Sequence, residues 1–378
     1  MTTTLSENTV HRDLMGLKTS HQRGSFIDDL TAYTTQHQAQ HWRGTFAEFL
    51  HDILPKDPSK LTRSSHQYVY DMLCAYRDAP RHVRGTGEPE PTATALFAGE
   101  LFGIDSALER VIDYFKAAAA GSDVGRRLLL LLGPPSGGKS SLVILMKRGL
   151  EEYSHTDDGA LYALHGSPLH ESPLGLFDPN EDAKILEEDY GIPARYLSTI
   201  MSPWAVKRLK EYNGDVTRFQ VVKLYPSRLK QIAVTKTEPG DENNQDISSL
   251  VGKVDIRKLD RYAQDDPDAY SYSGGLCLAN QGMLEFVEMF KAPIKMLHPL
   301  LTATQEGNYK GTEGFSAIPF GGIILAHSNE SEWQTFRNNR NNEAFLDRIY
   351  IVKVPYCLQM SEEVKIYQKL LRHSALSN

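Results

Sequence analysis

The sequence of 378 residues predicts an α/β fold, in which a parallel β-sheet is flanked by helices. Apolar runs typical of buried strands, at 128–132, 321–327 and 349–354, alternate with stretches whose apolar residues recur at helical spacing. The first run also leads directly into a glycine-rich loop and a helix-forming segment. Ligands of such sheets bind beyond the carboxyl ends of the strands, so this loop marks the expected binding edge.

The glycine-rich loop has the spacing of a phosphate-binding P-loop. Gly133, Gly138, Lys139 and Ser140 fit the pattern G-x-x-x-x-G-K-[ST], and the strand and helix on either side disfavour a chance turn. Glycines let backbone N–H groups approach a polyphosphate, and the helix N-terminus adds partial positive charge. Lys139 is expected to reach the β- and γ-phosphates, and the Ser140 hydroxyl to ligate Mg²⁺. We therefore predict that ATP and Mg²⁺ bind to Gly133, Pro134, Pro135, Ser136, Gly137, Gly138, Lys139, Ser140 and Ser141.

The bulk composition restricts the partners and the compartment. A net charge of −7 and a pI near 6.0 argue against charge-driven binding to nucleic acid or anionic membranes. Cys74, Cys277 and Cys357 are far apart and show no zinc-ligand spacing, which suits a reducing compartment. The N-terminus has no apolar signal core, and no apolar run approaches the ~18 residues that span a bilayer. We expect a cytoplasmic protein without a membrane segment.

The residues before the loop predict helices. Apolar spacing around 46–50 and 69–73 predicts an N-terminal helical domain over 1–85, and the Gly-, Pro- and Glu-rich residues 86–93 predict a linker. An amphipathic helix over 106–120, ended by Gly121, precedes the strand and the loop. We place the nucleotide-binding core at 86–355.

The residues after the loop predict a core with an insertion and the start of a lid. A strand is expected at 161–164, a Pro-rich segment follows it, and the acidic stretch 178–190 predicts a solvated helix. The chain between Lys139 and Asn280 is much longer than a strand–helix–strand unit needs, so we expect a large insertion around 165–260 that carries substrate or partner specificity. Residues 356–378 are expected to begin a helical lid that is truncated at Asn378.

A second motif lies downstream of the insertion. The stretch 274–281 resembles the second ATPase motif of AAA+ proteins, in which two glycines and four apolar residues precede Asp-Glu, but Asn280 and Gln281 stand in place of the acids. An amide is a negligible base, and loss of a general base typically costs about 10²–10⁴-fold in rate. Glu285 and Glu288, expected one and two turns along the next helix, are the acids that could substitute. The alternative is that both are ordinary surface or structural acids.

Two further residues match positions that AAA+ proteins use at the γ-phosphate. Asn329 follows the 321–327 strand and resembles the sensor that orients the attacking water, unless it only caps a turn. Arg348 precedes the last strand and resembles the arginine finger that reaches a neighbour's nucleotide, unless it only pairs with an acid such as Asp347; Arg337 and Arg340 are weaker candidates. The finger implies a ring-type homo-oligomer. The predicted catalytic residues are Lys139, Asn280, Gln281, Asn329 and Arg348.

Long and unusual runs of this chain resemble the AAA+ portion of the PrkA-type bacterial serine protein kinases. These runs are GPPSGGKSSL (133–142), HGSPLHESPLGLF (165–177), KTEPGDENNQDISSLVGKVDIRKL (236–259), DDPDAYSYSGGLCLANQGMLEFVEMFKAP (265–293), LHPLLTATQEGNY (297–309) and ILAHSNESEWQTFRNNRNNEAFLDRIYIVKVPY (324–356). The resemblance implies an AAA+ P-loop NTPase core, ATP binding, phosphorylation of protein serine and a role in bacterial stress or nutrient responses. It also implies a longer protein, with a kinase-like region beyond the lid.

The residues themselves do not contain the motif set of a eukaryotic-type protein kinase. His11-Arg12-Asp13-Leu14 matches a kinase catalytic-loop signature, but Lys18 stands where Asn is required and no D-F-G follows, so the match is coincidental. Phosphoryl transfer here would use the P-loop site with an unassigned acid, and Asp241, Glu242 and Asp246 are the next candidates.

Two other functions remain open from the sequence. One is a mechanochemical AAA+ ATPase that serves remodelling or ATP-dependent proteolysis. The other is a non-hydrolysing nucleotide switch, which the replacement of the acidic pair by Asn280 and Gln281 favours.

Overall fold

The structure, a computed structural model, describes residues 42–78, 94–178, 180–192, 197, 200–239, 246–312 and 316–372. The expected linker at 86–93, the match at 11–14, and Asp241 and Glu242 lie outside these residues. The described strands are β1 Arg43–Thr45, β2 Leu128–Leu132, β3 Leu161–Leu164, β4 Gln220–Leu224, β5 Val234–Thr237, β6 Lys253–Val254, β7 Tyr270–Ser271, β8 Met283–Val287, β9 Asn308–Tyr309, β10 Ile318–Pro319, β11 Ile323–Ser328 and β12 Ile349–Lys353. The described α-helices are α1 Phe46–Glu48, α2 Pro58–Leu61, α3 Ser65–Asp78, α4 Asp105–Ala119, α5 Lys139–Ser154, α6 Ala183–Tyr190, α7 Pro203–Glu211, α8 Ser248–Val251, α9 Gly275–Leu278, α10 Ile294–Glu306, α11 Glu330–Asn338, α12 Glu343–Leu346 and α13 Met360–Arg372.

The central sheet has five strands in the order β12-β2-β11-β8-β5, and every neighbouring pair is parallel. This confirms the expected parallel sheet. Because all five strands run the same way, their carboxyl ends share one edge and their amino ends share the other. The five consecutive leucines of β2 are buried on both faces, as a central parallel strand requires.

The two faces of the sheet pack against different helices. Leu128, Leu130 and Leu132 of β2 join a core cluster with α10, whereas Leu129 and Leu131 join a second cluster with α3, α4 and α5. Side chains alternate between the faces of a strand, so one apolar run supplies both clusters. Each fully buried leucine stabilises the fold by about 1.5–3 kcal/mol relative to an exposed one.

The described part of the expected N-terminal domain is not a separate body. Tyr68, Val69, Met72 and Leu73 of α3 are buried in the same cluster as residues of α4 and α5. The chain divides between Arg43 and Gly44, and residues 44–378 form one compact unit. The domain boundary expected near residue 85 was therefore misplaced, because the apolar face of α3 is buried against the core.

A second, smaller sheet has the order β1-β4-β3, and of its strands only β4 comes from the region expected as an insertion. The strand expected at 161–164 exists as β3, but it pairs antiparallel with β4 and lies outside the parallel sheet. The chain returns to the parallel sheet at β5, so the region expected as an insertion also contains a core strand. Asp246 accepts hydrogen bonds from the backbone N–H and hydroxyl of Ser248 at the start of α8, which gives it a local structural role.

The second motif was assigned to the wrong elements. Residues 275–278 form the short helix α9, and Glu285 lies in the strand β8, with Glu288 directly after it, where a helix was expected. β8 lies between β11 and β5 and its first four residues are buried, so the environment of a central strand overrides helical spacing.

The last described helix, α13, lies within residues 356–378, where a helical lid was expected to begin. Lys369 Nζ donates to the backbone carbonyl of Glu100 at 3.1 Å, so α13 contacts the segment that precedes α4. Among the described helices, none combines the length and the apolarity needed to cross a membrane.

Candidate nucleotide-binding site

The phosphate loop lies at the carboxyl edge of the central sheet, between β2 and α5. The Gly133 N–H donates to the Ser328 carbonyl at 3.3 Å, and a Cβ at Gly133 would lie 2.0 Å from the Val354 carbonyl oxygen. Gly138 has φ of 87° and is the N-cap of α5. A glycine is therefore required at the first position for space and favoured at the second for its left-handed backbone.

Lys139 lies folded over this loop. Its ammonium donates to the carbonyls of Gly133 at 2.7 Å and Pro134 at 2.6 Å, and burial lowers the pKa of the amine. Ser140 and Ser141 are exposed in the first turn of α5, where the free N–H groups of a helix N-terminus favour an anion. A cation, exposed hydroxyls and a helix N-terminus therefore converge where a polyphosphate would bind.

An acid follows β8 at the same edge of the sheet as the loop. Glu288 follows Val287, which is paired with His327 of β11, and β11 is in turn the neighbour of β2. The Glu288 side chain is half exposed, and its carboxylate accepts from Lys291 Nζ at 2.6 Å. The chain thus carries a carboxylate, Glu288, directly after β8, at the same edge of the sheet as the phosphate loop.

The end of β11 supplies the next polar group. Asn329 Oδ1 accepts from the Glu332 N–H at 2.8 Å and from the Ser331 hydroxyl at 2.7 Å, so it caps α11. The Ser328 hydroxyl donates to Glu332 Oε2 at 2.7 Å. Asn329 therefore caps a helix in this structure, as the alternative to a sensor role expected. The cap uses only the amide oxygen, and Nδ2 is the end that could donate to a nucleotide.

Asn280 and Gln281 do not lie at this edge. They precede β8, so they are at the amino edge of the sheet, opposite the loop. Asn280 is buried, donates to the Leu169 carbonyl at 3.2 Å and accepts from the Gly321 N–H at 2.8 Å. Gln281 Nε2 donates to the Tyr162 carbonyl at 3.1 Å. The two amides therefore hydrogen-bond β3 and the segment after it to the amino edge of the core. The assignment of Asn280 and Gln281 as replacements for catalytic acids is wrong.

The same amino edge holds a cavity of about 500 Å³. Its walls include Asn280, Gln281, Arg127 before β2 and Gly322 before β11. Because the phosphate loop is at the opposite edge, this cavity is separate from the candidate nucleotide site.

Arg348 also lies at the amino edge. Its carbonyl accepts from the Leu128 N–H at 2.9 Å, and its guanidinium donates to the Ala344 carbonyl at 3.2 Å. It is therefore remote from the phosphate loop of its own chain, and a role as a finger would have to be played on a second copy. Arg337 and Arg340 are exposed on and just after α11.

Glu285 has a different environment from Glu288. Its side chain is 4% exposed, accepts from Lys147 of α5 and lies with Oε1 3.1 Å from His327 Nε2 of β11. Burial raises the pKa of this carboxyl, but the hydrogen bonds from His327 and Lys147 and the Lys147 charge outweigh burial and lower it overall. Glu285 is thus held ionised inside the protein, behind the loop.

From the sequence, Glu288 was expected on a helix. Lys291 and Glu332, which lie near Glu288, were not predicted at the site. The available signal was the mostly apolar stretch 283–287, interrupted only by Glu285 and followed by an acid, which is typical of a strand that ends at a binding edge. Lys291 and Glu332 carry no motif of their own and are brought to the edge by the fold.

A P-loop between the first core strand and a long helix, an acid at the end of a nearby strand and an asparagine at the end of the strand between them define an AAA-type nucleotide-binding domain. The family model described as the PrkA AAA domain matches residues 44–378, so this chain belongs to that family. The resemblance stated from the sequence motifs is confirmed.

Two curated relatives carry different functional names. The chain is 60% identical over 321 residues to the serine/threonine kinase YeaG of Escherichia coli strain K12, which covers 79% of this chain and 49% of the relative. It is 39% identical over 358 residues to the ATP-dependent protease PrkA of Bacillus subtilis strain 168, covering 93% and 54%. This chain thus spans about half the length of these relatives.

Among solved structures, the chain is similar to one from the complex of the BchI and BchD subunits of magnesium chelatase. The TM-score is 0.41 with 17% identity, covering 74% of this chain and 67% of the other.

Proposed function

We propose that this chain is the ATP-binding AAA domain of a serine protein kinase, in which Mg-ATP bound at the P-loop drives phosphorylation of a protein serine. The observation that carries the nucleotide part is the convergence at one sheet edge of Lys139, the helix N-terminus at Ser140, Glu288 and Asn329. The kinase part rests on the family and on the name of the relative from Escherichia coli.

The loop residues would bind the phosphates. The first-turn N–H groups of α5 would donate to the phosphates, and the Lys139 ammonium would exchange its two carbonyl acceptors for phosphate oxygens. Because of this exchange, the half-buried Lys139 ammonium has a hydrogen-bond acceptor both before and after the nucleotide binds. Lys139 therefore both holds the loop together and is available to the nucleotide.

The residues that would hold Mg²⁺ are Ser140 and Glu288. In the described part of the chain, no three His, Cys, Asp or Glu side chains are grouped so that they could hold a metal alone. Mg²⁺ commonly uses one or two protein ligands together with substrate phosphates and water, which fits this set. When bound, the ion neutralises charge on the phosphates, and Asn329 Nδ2 would donate to the γ-phosphate or to the attacking group.

The positions of Asn280 and Gln281 disfavour the alternative of a non-hydrolysing nucleotide switch. It depended on an acidic pair replaced by amides, but Asn280 and Gln281 lie at the other edge, and we propose Glu288 as the acid. An ATPase that serves proteolysis stays as a second candidate, because the relative from Bacillus subtilis is named an ATP-dependent protease. A ring-type homo-oligomer also stays a proposal, with Arg348 as the residue that would reach a neighbouring nucleotide.

The test uses purified protein in which Lys139 is replaced. Isothermal titration with Mg-ATP should show binding by the wild type and a loss of at least about tenfold in affinity for Lys139→Ala, because a charge-assisted contact to phosphate is removed. Radiolabelled ATP should then transfer label to a serine-containing protein substrate when a full-length homologue is used. Steady phosphate release with no label on protein would instead favour the ATPase of a proteolytic system.

A further inference from the structure

One buried carboxylate joins the helix that begins at the candidate site and the two strands that end there. Glu285 of β8 is bonded to Lys147 of α5 and to His327 of β11, and the three side chains are 4%, 7% and 7% exposed. Since an ionised carboxylate only accepts hydrogen bonds, His327 must carry its proton on Nε2. Glu285 and His327 lie on the sheet face that packs against α5, and Lys147 contacts Glu285 from α5.

Each of the three residues is a short distance along its own element from a group at the nucleotide site. Lys147 is two turns after Lys139, or about 12 Å along the helix. Glu285 is three residues before Glu288, and His327 is two residues before Asn329, or about 10 Å and 7 Å along the strands. A helix and two central strands are stiff over such lengths, so the position of the buried carboxylate fixes the spacing between the loop and both strand ends.

A buried ion pair gives little net stability by itself, because the cost of removing both charges from water offsets their attraction. An apolar or neutral replacement of similar volume is often as stable, so stability alone does not account for three polar groups inside a packed face. Their arrangement does account for a fixed relation between α5, β8 and β11.

We propose that Lys147, Glu285 and His327 form a positioning network that sets the distance between the phosphate loop and the strand ends, and so determines preference for a γ-phosphate. The inference rests on the proposed nucleotide site. ADP would be held mainly by the loop and α5, whereas the γ-phosphate of ATP would also require Glu288 and Asn329 at the correct distance. Loss of the network should therefore weaken ATP binding much more than ADP binding.

The test compares affinities for ADP and a non-hydrolysable ATP analogue with Mg²⁺ by isothermal titration. The variant is Lys147→Met/Glu285→Gln, which removes both charges at similar volume and leaves His327 an acceptor. We expect the preference of the wild type for the ATP analogue to fall by about tenfold or more, the size of one lost hydrogen bond to a charged group, with ADP affinity within about twofold. Lys147→Arg keeps the ion pair and should retain the preference.

A control removes a different, partly buried ion pair in the same unit. Arg63→Met/Asp71→Asn should leave the nucleotide preference unchanged, because the pair joins the segment before α3 to α3, and Arg63 contacts α5 only at Tyr153 in its last turn, about 20 Å along the helix from Lys139. If Lys147→Met/Glu285→Gln does not fold, His327→Leu, which disconnects only β11, should show the same selective loss.

The outcomes separate the inference from the function that it rests on. A wild type that binds neither nucleotide overturns both. A wild type that binds ADP and the ATP analogue equally, or a folded network variant that keeps the wild-type preference, overturns only the positioning role and leaves the nucleotide site standing. An equal loss for both nucleotides would show a purely structural role and would also overturn the inference.

Discussion

Gly133→Ala is the substitution whose effect on the candidate site follows most directly from the structure. The new Cβ would lie 2.0 Å from the Val354 carbonyl oxygen and 3.1 Å from its carbon, whereas ordinary contacts begin at 3.4 Å. The backbone at Gly133 or at Val354 must therefore move by about 1 Å or more to relieve the contact. Because Gly133 is the first residue of the loop and its carbonyl accepts from Lys139, this movement displaces the phosphate-binding groups.

Two effects of different size are expected from that displacement. Overpacking of this kind costs about 1–3 kcal/mol of stability, so the protein should still fold. A misplacement of about 1 Å at a binding or catalytic group can cost about 10²-fold in activity, so ATP turnover should fall far more than stability suggests. The assays are phosphate release from ATP and Mg-ATP affinity by titration, together with the melting temperature.

Gly121→Ala is the matched control. Gly121 has φ of 81°, and a Cβ at this position would have no neighbouring atom within 4 Å, so alanine there costs about 1–2 kcal/mol of backbone strain without touching the loop. It should lower the melting temperature and leave ATP affinity unchanged. If folded Gly133→Ala binds ATP as the wild type does, the loop does not hold the phosphates and the reasoning is refuted.

Three further predictions test separate parts of the structure. Glu288→Gln should weaken Mg-ATP binding, because Glu288 would hold Mg²⁺ and lie at the γ-phosphate, and should lower phosphate release or transfer by about 10²–10⁴-fold if the carboxylate also acts as a base; unchanged affinity and rate would exclude both roles. Asn280→Ala should lower the free energy of unfolding by about 1–3 kcal/mol, since the carbonyl of the buried Leu169 loses the Asn280 donor, while nucleotide affinity measured by titration stays the same. Burial between the rings of Tyr114 and Phe115 lowers the pKa of His66 to about 4 from its ordinary 6.5, so the unfolded chain binds more protons between these values and stability falls as the pH drops from 6.5 towards 4. Denaturant titrations should show about 1–2 kcal/mol lost between pH 7 and pH 5 through this group, and His66→Phe should remove that part of the pH dependence.

The core of the fold and the loop could be read from the sequence because both depend on local pattern. Five consecutive leucines specify a strand buried on both faces, and the order of glycines, Lys139 and Ser140 specifies a phosphate loop wherever it lies in the chain. The long runs shared with the PrkA family added the AAA domain, and the family match over 44–378 confirms it.

The tertiary structure alone decided which polar residues reach the loop. Asn280 and Glu288 are eight positions apart, and the sequence could not tell which end of β8 each occupies until the strand's own limits were known. Once β8 is placed in a parallel sheet, one residue falls at the amino edge and the other at the carboxyl edge. The joining of Lys147, Glu285 and His327 likewise has no sequence signature, because their contact depends on how α5 packs across two strands far apart in the chain.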